Sequence, residues 1–397
     1  MRSVEEALEA VLAVARPTGT ERLPLDRCRG RVLAEHRLTV AVDVPPFANS
    51  SMDGFAVRAA DTPGELRLAG EVAAGAGLLT DVAPGTTVRI MTGAPMPPGA
   101  DAVAPLEIVD ERDGAVRVPA VESGASVRAQ GHDTRAGDPV ALPEAPLGAN
   151  AIAVLASLGI GQVEVRRPPR VAILSTGDEL RAPGEPLEPG QIHDANGVAL
   201  AAAVEEAGGE ATPPVRAPDD PVQIEAVVRS AAARADLLVA SGGVSVGRHD
   251  HVRDVIERLG SLDFWRIRMQ PGKPLAFGSV NGVPVMGLPG NPVSALVTFE
   301  LFARPLIRRM LGLPGSGRVT LPAVACERMG KDPDRRAYLR VRLSRGPQGL
   351  EARPAGGQQS SQLRPLALAD ALLIVPEGEP AAEAGRTYDA LLLGQTA

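Results

Sequence analysis

The pattern of apolar and polar positions divides the chain into stretches of different character. Ser3 and Glu6 fit a capping box ahead of Leu8, Val11, Leu12 and Ala15. These four share one helical face, which predicts an opening helix that ends at Arg16-Pro17-Thr18-Gly19. From about residue 40 to 140 the pattern shortens to alternating runs such as Val116-Arg117-Val118 between Gly and Pro turns, which predicts a small β domain. A short helix is expected over 151–158, with Asn150 as its cap and Gly159 as its stop. From about 168 to 313 buried strands (171–174, 237–240 and 283–286) alternate with helices. The helices are read as 199–207 ending at Gly208-Gly209, 221 to about 235 capped by Asp220, and a long one over 293–310. Alternation of this kind predicts a parallel sheet covered on both faces. After the linker Leu313-Pro314-Gly315-Ser316-Gly317, strand alternation returns over 338–343 and predicts a small all-β tail.

Composition narrows the function classes. A chain of 397 residues suggests about two to four domains. The net charge is −7, which argues against a general binder of nucleic acid or anionic membrane but allows an anionic substrate where positive groups cluster. Six Phe, two Tyr and one Trp are few for reading single-stranded nucleic acid by base stacking. Cys28 and Cys326, far apart in sequence, exclude a disulfide framework and a metal site built from several thiolates. The start of the chain has no apolar core of a signal peptide, and no stretch approaches the length of a membrane helix. The expected compartment is the cytoplasm.

Ligands of open α/β sheets bind outside the carboxyl ends of the strands, and four such ends carry unusual loops. The first is Ser175-Thr176-Gly177-Asp178-Glu179-Leu180; by itself it reads as a turn and helix cap. The second holds Ser241, Gly242, Gly243, Ser245 and His249-Asp250-His251. Glycines and serines directly after a buried strand leave backbone N–H groups open to a phosphate. The histidines are read as part of a polar helix start, with a metal trio as the alternative. The third is Met269-Gln270-Pro271-Gly272-Lys273-Pro274, where Pro274 holds Lys273 extended, a good arrangement for a fixed cation facing phosphate. The fourth is Gly287-Leu288-Pro289-Gly290-Asn291-Pro292-Val293-Ser294, with Asn291 as a cap and Pro292 as the first helical residue. Together they predict one ligand site with the acids Asp178, Glu179, Asp220 and Asp250 nearby. Acids beside phosphates suggest a Mg²⁺ bridge. Asp220 also has a sufficient role as a helix cap. In the early β domain, Asp53 in Asn49-Ser50-Ser51-Met52-Asp53-Gly54 and Thr92 in Met91-Thr92-Gly93-Ala94-Pro95 sit in loops that read as turns on local chemistry alone.

These loops, in this order, resemble the molybdopterin molybdenumtransferase family, which includes the E domain of gephyrin. The matching stretches are 51–57, 90–95, 175–180, 241–250, 271–274 and 287–294. The resemblance implies a multidomain α/β and β protein. An elongated N-terminal domain is formed by 1–39 and 131–167, with a β domain over 40–130 inserted in it. A central αβα molybdopterin-binding domain with a parallel-rich sheet spans 168–313, and a β-barrel-like domain spans 314–397. It also implies a homodimer with a cleft shared between subunits, and insertion of molybdenum from molybdate into adenylylated molybdopterin with Mg²⁺ and release of AMP. Because the soft sulfur ligands belong to the substrate, no cysteine cluster is needed.

The resemblance assigns catalytic roles to Asp53, Thr92, Glu179, Asp220 and Asp250. Of these, Glu179, Asp250 and Asp53 are the metal candidates. Substrate binding falls to Ser175, Thr176, Gly177, Ser241, Gly242, Gly243, Ser245, Arg266, Lys273, Pro289, Gly290, Asn291 and Ser294. Asp133 matches an interdomain acid, and Arg336 and Ser361 match polar positions of the last domain. Gln270 stands where many relatives have lysine, and His249 where a smaller or acidic residue is common. A molybdopterin adenylyltransferase is the implied upstream partner. The competing readings are a molybdopterin carrier, a scaffold, a tungstate-specific paralogue and another nucleotide-cleaving enzyme on the αβα domain.

Overall fold

The computed structural model describes residues 1–75, 80–243, 251–315, 317–347 and 349–394, the side chain of Trp265 excepted. They form two compact units. One comprises Met1–Glu21, Gly30–Ala34 and Val165–Ala397, the other Arg22–Arg29 and Glu35–Glu164.

In the smaller unit a six-stranded sheet runs in the order Ala102–Pro105, Gly54–Val57, Thr86–Ile90, Gly64–Val72, Ala115–Val118, Asp110–Arg112. Gly54–Val57 is buried on both faces: Phe55 and Val57 enter one core and Ala56 the other. Gly54 pairs with Ile90 on one side and Pro105 on the other. A Cβ at Gly54 would lie 2.2 Å from the Ala104 carbonyl oxygen, so the close strand contact requires glycine here. The short helix of this unit is Ala149–Ser157. Its N-cap is Gly148 rather than Asn150, which lies inside the first turn, and Gly159 takes the left-handed conformation expected of its stop.

The larger unit contains a seven-stranded αβα sheet. Arg170–Thr176, Leu237–Ser241 and Val283–Leu288 are parallel neighbours, extended at the outer edge by Glu210–Ala211 and Val215–Ala217. Pro274–Val280 and Gly260–Arg266 then join antiparallel, so the sheet is parallel-rich rather than wholly parallel. The reversal is made at Asn281-Gly282, both at positive φ, a two-residue turn suited to a hairpin. Along Arg170–Thr176, Val171 and Ile173 face one core while Ala172 and Leu174 face the other. Ala195–Ala207 and the helical stretch after Asn291 cover the first face; Pro221–Ala232 and His251–Leu259 cover the second.

The helix expected over 199–207 starts earlier, at Ala195 after its cap Asp194, and two further helices differ from the pattern-based expectation. The opening helix, Val4–Ala13, has the expected capping box but buries Val4, Ala7 and Val11, with Leu8 at the margin. The stripe is therefore rotated toward the αβα core it packs on. The 293–310 segment is helical throughout but contains a π turn, Phe299–Ala303, between Pro292–Thr298 and Arg304–Met310. Pro305 has no N–H to donate back one turn and its ring crowds that carbonyl, which accounts for the widened turn.

The C-terminal strands close a five-stranded barrel. Arg336–Gly346 pairs with Gly349–Pro354, which pairs with Thr320–Ala325, then Thr387–Leu392, then Ala371–Val375 and back to Arg336–Gly346. Its core alternates alanines such as Ala323, Ala325, Ala337 and Ala352 with larger residues including Leu339, Val341, Leu373 and Tyr388. Met269–Gln270, leaving the αβα sheet, adds to the barrel by pairing parallel with Arg336 and Ala337. Among the described residues no helix is long and apolar enough to cross a membrane.

Candidate active site

Three parallel strands end level, because Ser175 pairs with Ser241 and Ser241 with Leu288. Ser175 and Thr176 are buried, and neither hydroxyl oxygen has a hydrogen-bond partner among the described residues. Asn196, in the first turn of Ala195–Ala207, donates from Nδ2 to Ser241 Oγ (2.6 Å) and to the Gly290 carbonyl (2.7 Å). Its Oδ1 is shielded from solvent and unpartnered. A buried polar group without a partner costs about 1–3 kcal/mol, so three at one strand edge make it the candidate place for a ligand's donors and acceptors. Gly242 and Gly243 follow at φ +91 and +66. A Cβ on Gly242 would lie 2.7 Å from the Thr176 carbonyl oxygen, so the turn requires glycine. Ser245 and Asp250 lie outside the described residues, as do the rest of 244–250.

The acids around this edge divide into committed and available groups. Asp220 caps Pro221–Ala232, accepting from the Val222 N–H (2.9 Å) and Gln223 Nε2 (3.1 Å). These bonds hold its carboxyl below the usual range, and the structure uses both its oxygens. Asp178 accepts from the Asp219 N–H through one oxygen (3.1 Å). Glu179 is exposed in the turn that follows Gly177. No helix follows this turn, so Glu179 caps nothing; the chain continues as the two-residue strand Leu180–Arg181. Its carboxylate folds back over Gly177, where an added Cβ would meet Oε2 at 2.5 Å. Among the described residues that carboxylate makes no hydrogen bond or ion pair, while the Glu179 carbonyl accepts from the Ile192 N–H (2.9 Å).

Next to the strand ends lies a cavity of about 420 Å³. Lys273, Pro289, Asn291 and Ser294 line it from the αβα side, and Arg335, Gln358 and Ser360 from the barrel. Lys273 finds no carboxylate among the described residues, whereas Arg335 pairs with Asp332 (3.1 Å). Asn291 occupies the N-cap position but makes no capping bond; its Nδ2 instead donates to Ser360 Oγ across the cavity (3.1 Å). Gln270 Oε1 accepts from the Asp332 N–H (3.1 Å), a bond a lysine could not make. Arg266 is in the strand opposite Pro274 and is not among the cavity-lining residues.

Asp53 and Thr92 meet in the smaller unit because each adjoins one of two paired strands. Asp53 Oδ1 accepts from the Thr92 N–H (2.6 Å) and Oγ1–H (2.7 Å). The backbone bond first and the hydroxyl second hold the carboxyl below its ordinary range. Asp53 is thereby ionised to lower pH, and the benefit to the fold is lost only as pH falls through that depressed value. Thr92→Val should move the Asp53 titration upward toward that of a free aspartate. A side-chain NMR titration checks this; an unmoved midpoint would count against the hydroxyl's part.

Local pattern did not reveal Asn196, Arg335, Gln358 and Ser360. Of two adjacent arginines, Arg335 lines the cavity while Arg336 pairs with Glu5 and Glu377. Of two adjacent serines, Ser360 rather than Ser361 lines it. The choice is made by which side of the strand or loop each residue occupies.

Comparison with known proteins follows these features closely. Family models match in chain order: MoeA N-terminal region (domain I and II) over residues 2–159, probable molybdopterin binding domain over 172–309, and MoeA C-terminal region (domain IV) over 322–393. Molybdopterin molybdenumtransferase 2 of Mycobacterium tuberculosis is 38% identical over 394 residues, covering 95% of this chain and 96% of its own. The chain belongs to the molybdopterin molybdenumtransferase family. A molybdopterin molybdenumtransferase of Haemophilus influenzae is 41% identical over 300 residues, covering 75% of this chain and 74% of its own. The crystal structure of a molybdopterin biosynthesis MoeA protein from Pyrococcus horikosii superposes with a TM-score of 0.86 at 34% identity, covering 99% of each chain. The molybdenumtransferase fold thus extends over the whole chain, barrel included.

Proposed function

We propose that the protein transfers molybdenum from molybdate to adenylylated molybdopterin, with Mg²⁺ and release of AMP. It is a transferase of molybdenum cofactor biosynthesis. The observation that carries the finer reading is the union of two features: a cavity holding the ammonium of Lys273, and beside it the Ser175 and Thr176 hydroxyls and the Asn196 Oδ1, which have no partner among the described residues. Pro289-Gly290-Asn291 connects them, since Gly290 accepts from Asn196 while Pro289 and Asn291 line the cavity. The strand-end groups suit the polar edges of a pterin nucleotide. The cavity suits a tetrahedral dianion, held by Lys273 and oriented by hydroxyls and amides.

Among the described residues no three His, Cys, Asp or Glu side chains converge on one point. Magnesium does not require such a cage, because it takes one or two carboxylates and completes its shell with water and phosphate oxygens. Glu179, with the uncommitted oxygen of Asp178, fits that donor set. When bound there, the ion would neutralise charge on the phosphoanhydride. The chain's own part is to position two anions and exclude loose geometries. Asp250 and Ser245 are proposed to complete the site, Asp53 and Thr92 are proposed as further catalytic residues, and Asp250 and Asp53 as further metal candidates. Asp220 acts through the helix it caps.

The test is AMP release from adenylylated molybdopterin. Release that needs both Mg²⁺ and molybdate supports the reading. Binding without release would make the protein a carrier, and release with tungstate alone would change the oxyanion. A homodimer with a shared cleft is also proposed, with a molybdopterin adenylyltransferase upstream and a cytoplasmic setting. Light scattering at micromolar concentration should return twice the 41.1 kDa chain mass; a value near one chain mass would count against the dimer.

A further inference from the structure

Arg340 is 1% exposed, the largest fully buried side chain among the described residues. A buried cation is normally paired with a carboxylate, since desolvating a lone charge is costly. Arg340 forms no ion pair among the described residues. Among the described residues its guanidinium donates to one loop: Nη1 to the Gln359 carbonyl (3.0 Å), Nη2 to the Gly357 carbonyl (2.9 Å) and Nε to Gln358 Oε1 (3.4 Å). The backbone completes a reciprocal lock. The Arg340 N–H donates to Gln358 Oε1 (2.9 Å), and Gln358 Nε2 returns to the Arg340 carbonyl (3.0 Å). The next residue in that loop is Ser360, which accepts from Asn291 and, with Gln358, lines the Lys273 cavity.

We propose that Arg340 is a positioning residue: its guanidinium clamps the 357–359 loop so that Ser360 and Gln358 stand as the barrel wall of the oxyanion cavity. This rests on the reading of that cavity as the oxyanion site. Three acceptors fanned over consecutive residues suit a planar fork of donors, and an ammonium cannot reproduce that spread. A neutral apolar residue would spare the desolvation cost but leave the loop carbonyls without donors and the serine free to drift. Dispensing with a carboxylate also keeps the charge of Arg340 uncancelled behind the wall, and burial alone pushes its guanidinium toward the neutral form.

The test measures molybdate binding by calorimetry and steady-state AMP release on the full chain, for Arg340→Lys, Gln358→Ala, Ser360→Ala and the Arg340→Lys/Ser360→Ala pair. Molybdate affinity should fall roughly tenfold to a hundredfold in Arg340→Lys. KM for molybdate should rise in step, while kcat should stay within about threefold. The double variant should be no worse than Arg340→Lys alone, because a misplaced serine has little left to lose. Gln358→Ala, which leaves the buried charge in place, should give the same KM-selective pattern if Arg340→Lys fails to fold. Lys273→Ala is the control for the cavity itself. If molybdate binding is indifferent to Lys273→Ala, the cavity reading falls. If it responds to Lys273→Ala but not to Arg340→Lys or Gln358→Ala, or if the Arg340 and Ser360 effects add, the clamp is overturned and the cavity reading stands.

Discussion

Glu179→Ala and Asp53→Ala should each slow AMP release by about two orders of magnitude or more at nearly constant melting temperature, the usual size of effect when a group acting on developing charge is removed. Glu179 is exposed, lies in a turn with no helix to cap, and its carboxylate has no protein partner among the described residues. Its removal therefore deprives the fold of nothing described. Asp53 is also exposed, and its loss only returns the Thr92 N–H and hydroxyl to water. Substitutions at such surface positions usually change stability by about half a kcal/mol or less. A thermal melt and a Mg²⁺-dependent AMP assay separate the possibilities. Near-native turnover in both variants would remove them from the catalytic list, although the family assignment would stand.

Gly242→Val should abolish nucleotide-side binding and lower stability together. At φ +91 a β-branched residue is strained, by roughly 1–3 kcal/mol. Its Cβ would in addition lie 2.7 Å from the Thr176 carbonyl oxygen and 2.9 Å from Thr176 Oγ1. Relief requires the loop to move away from Thr176, which opens the strand edge that carries the Ser175 and Thr176 hydroxyls. Gly290→Ala is the contrasting case. There the nearest atom to an added Cβ is the Gly242 Cα at 3.8 Å, so the fold should barely respond. Equilibrium binding and melting curves for the pair test this. Equal behaviour of the two variants would show that the Gly242 turn is not the tight point.

The sequence announces the strand-end loops because buried runs, glycines and prolines act locally. A four-residue apolar run followed by Ser-Gly-Gly reads as strand and turn wherever it occurs. The capping box at Ser3 and the Asp220-Pro221 helix start are legible for the same reason. Less legible is anything set by pairing across distance. Arg335 and Arg336 are indistinguishable by composition, as are Ser360 and Ser361, and only placement within the barrel decides which member of each pair lines the cavity. Arg340 carries no local signal either, because charged residues in strands are ordinarily exposed. The π turn at Phe299–Ala303 is invisible in the pattern, because helical periodicity runs through it unbroken past Pro305. The acids were visible, but their division into capping and available groups depends on which N–H groups they meet.

The Met269–Gln270 strand has a consequence for how the Lys273 cavity can exchange its contents. It pairs with Arg336 and Ala337, and the Arg336 N–H donates to the Arg268 carbonyl (3.1 Å), so the αβα sheet and the barrel are joined by backbone hydrogen bonds at the cavity wall. A wall of this kind does not swing. Separating it means breaking a ladder, which belongs to sub-global opening rather than to the fast fluctuation of a loop. Amide protons along this seam should therefore exchange with deuterium slowly. Anions should enter and leave through the mouth, at rates set by their own dehydration and by Lys273, without waiting for the protein to breathe.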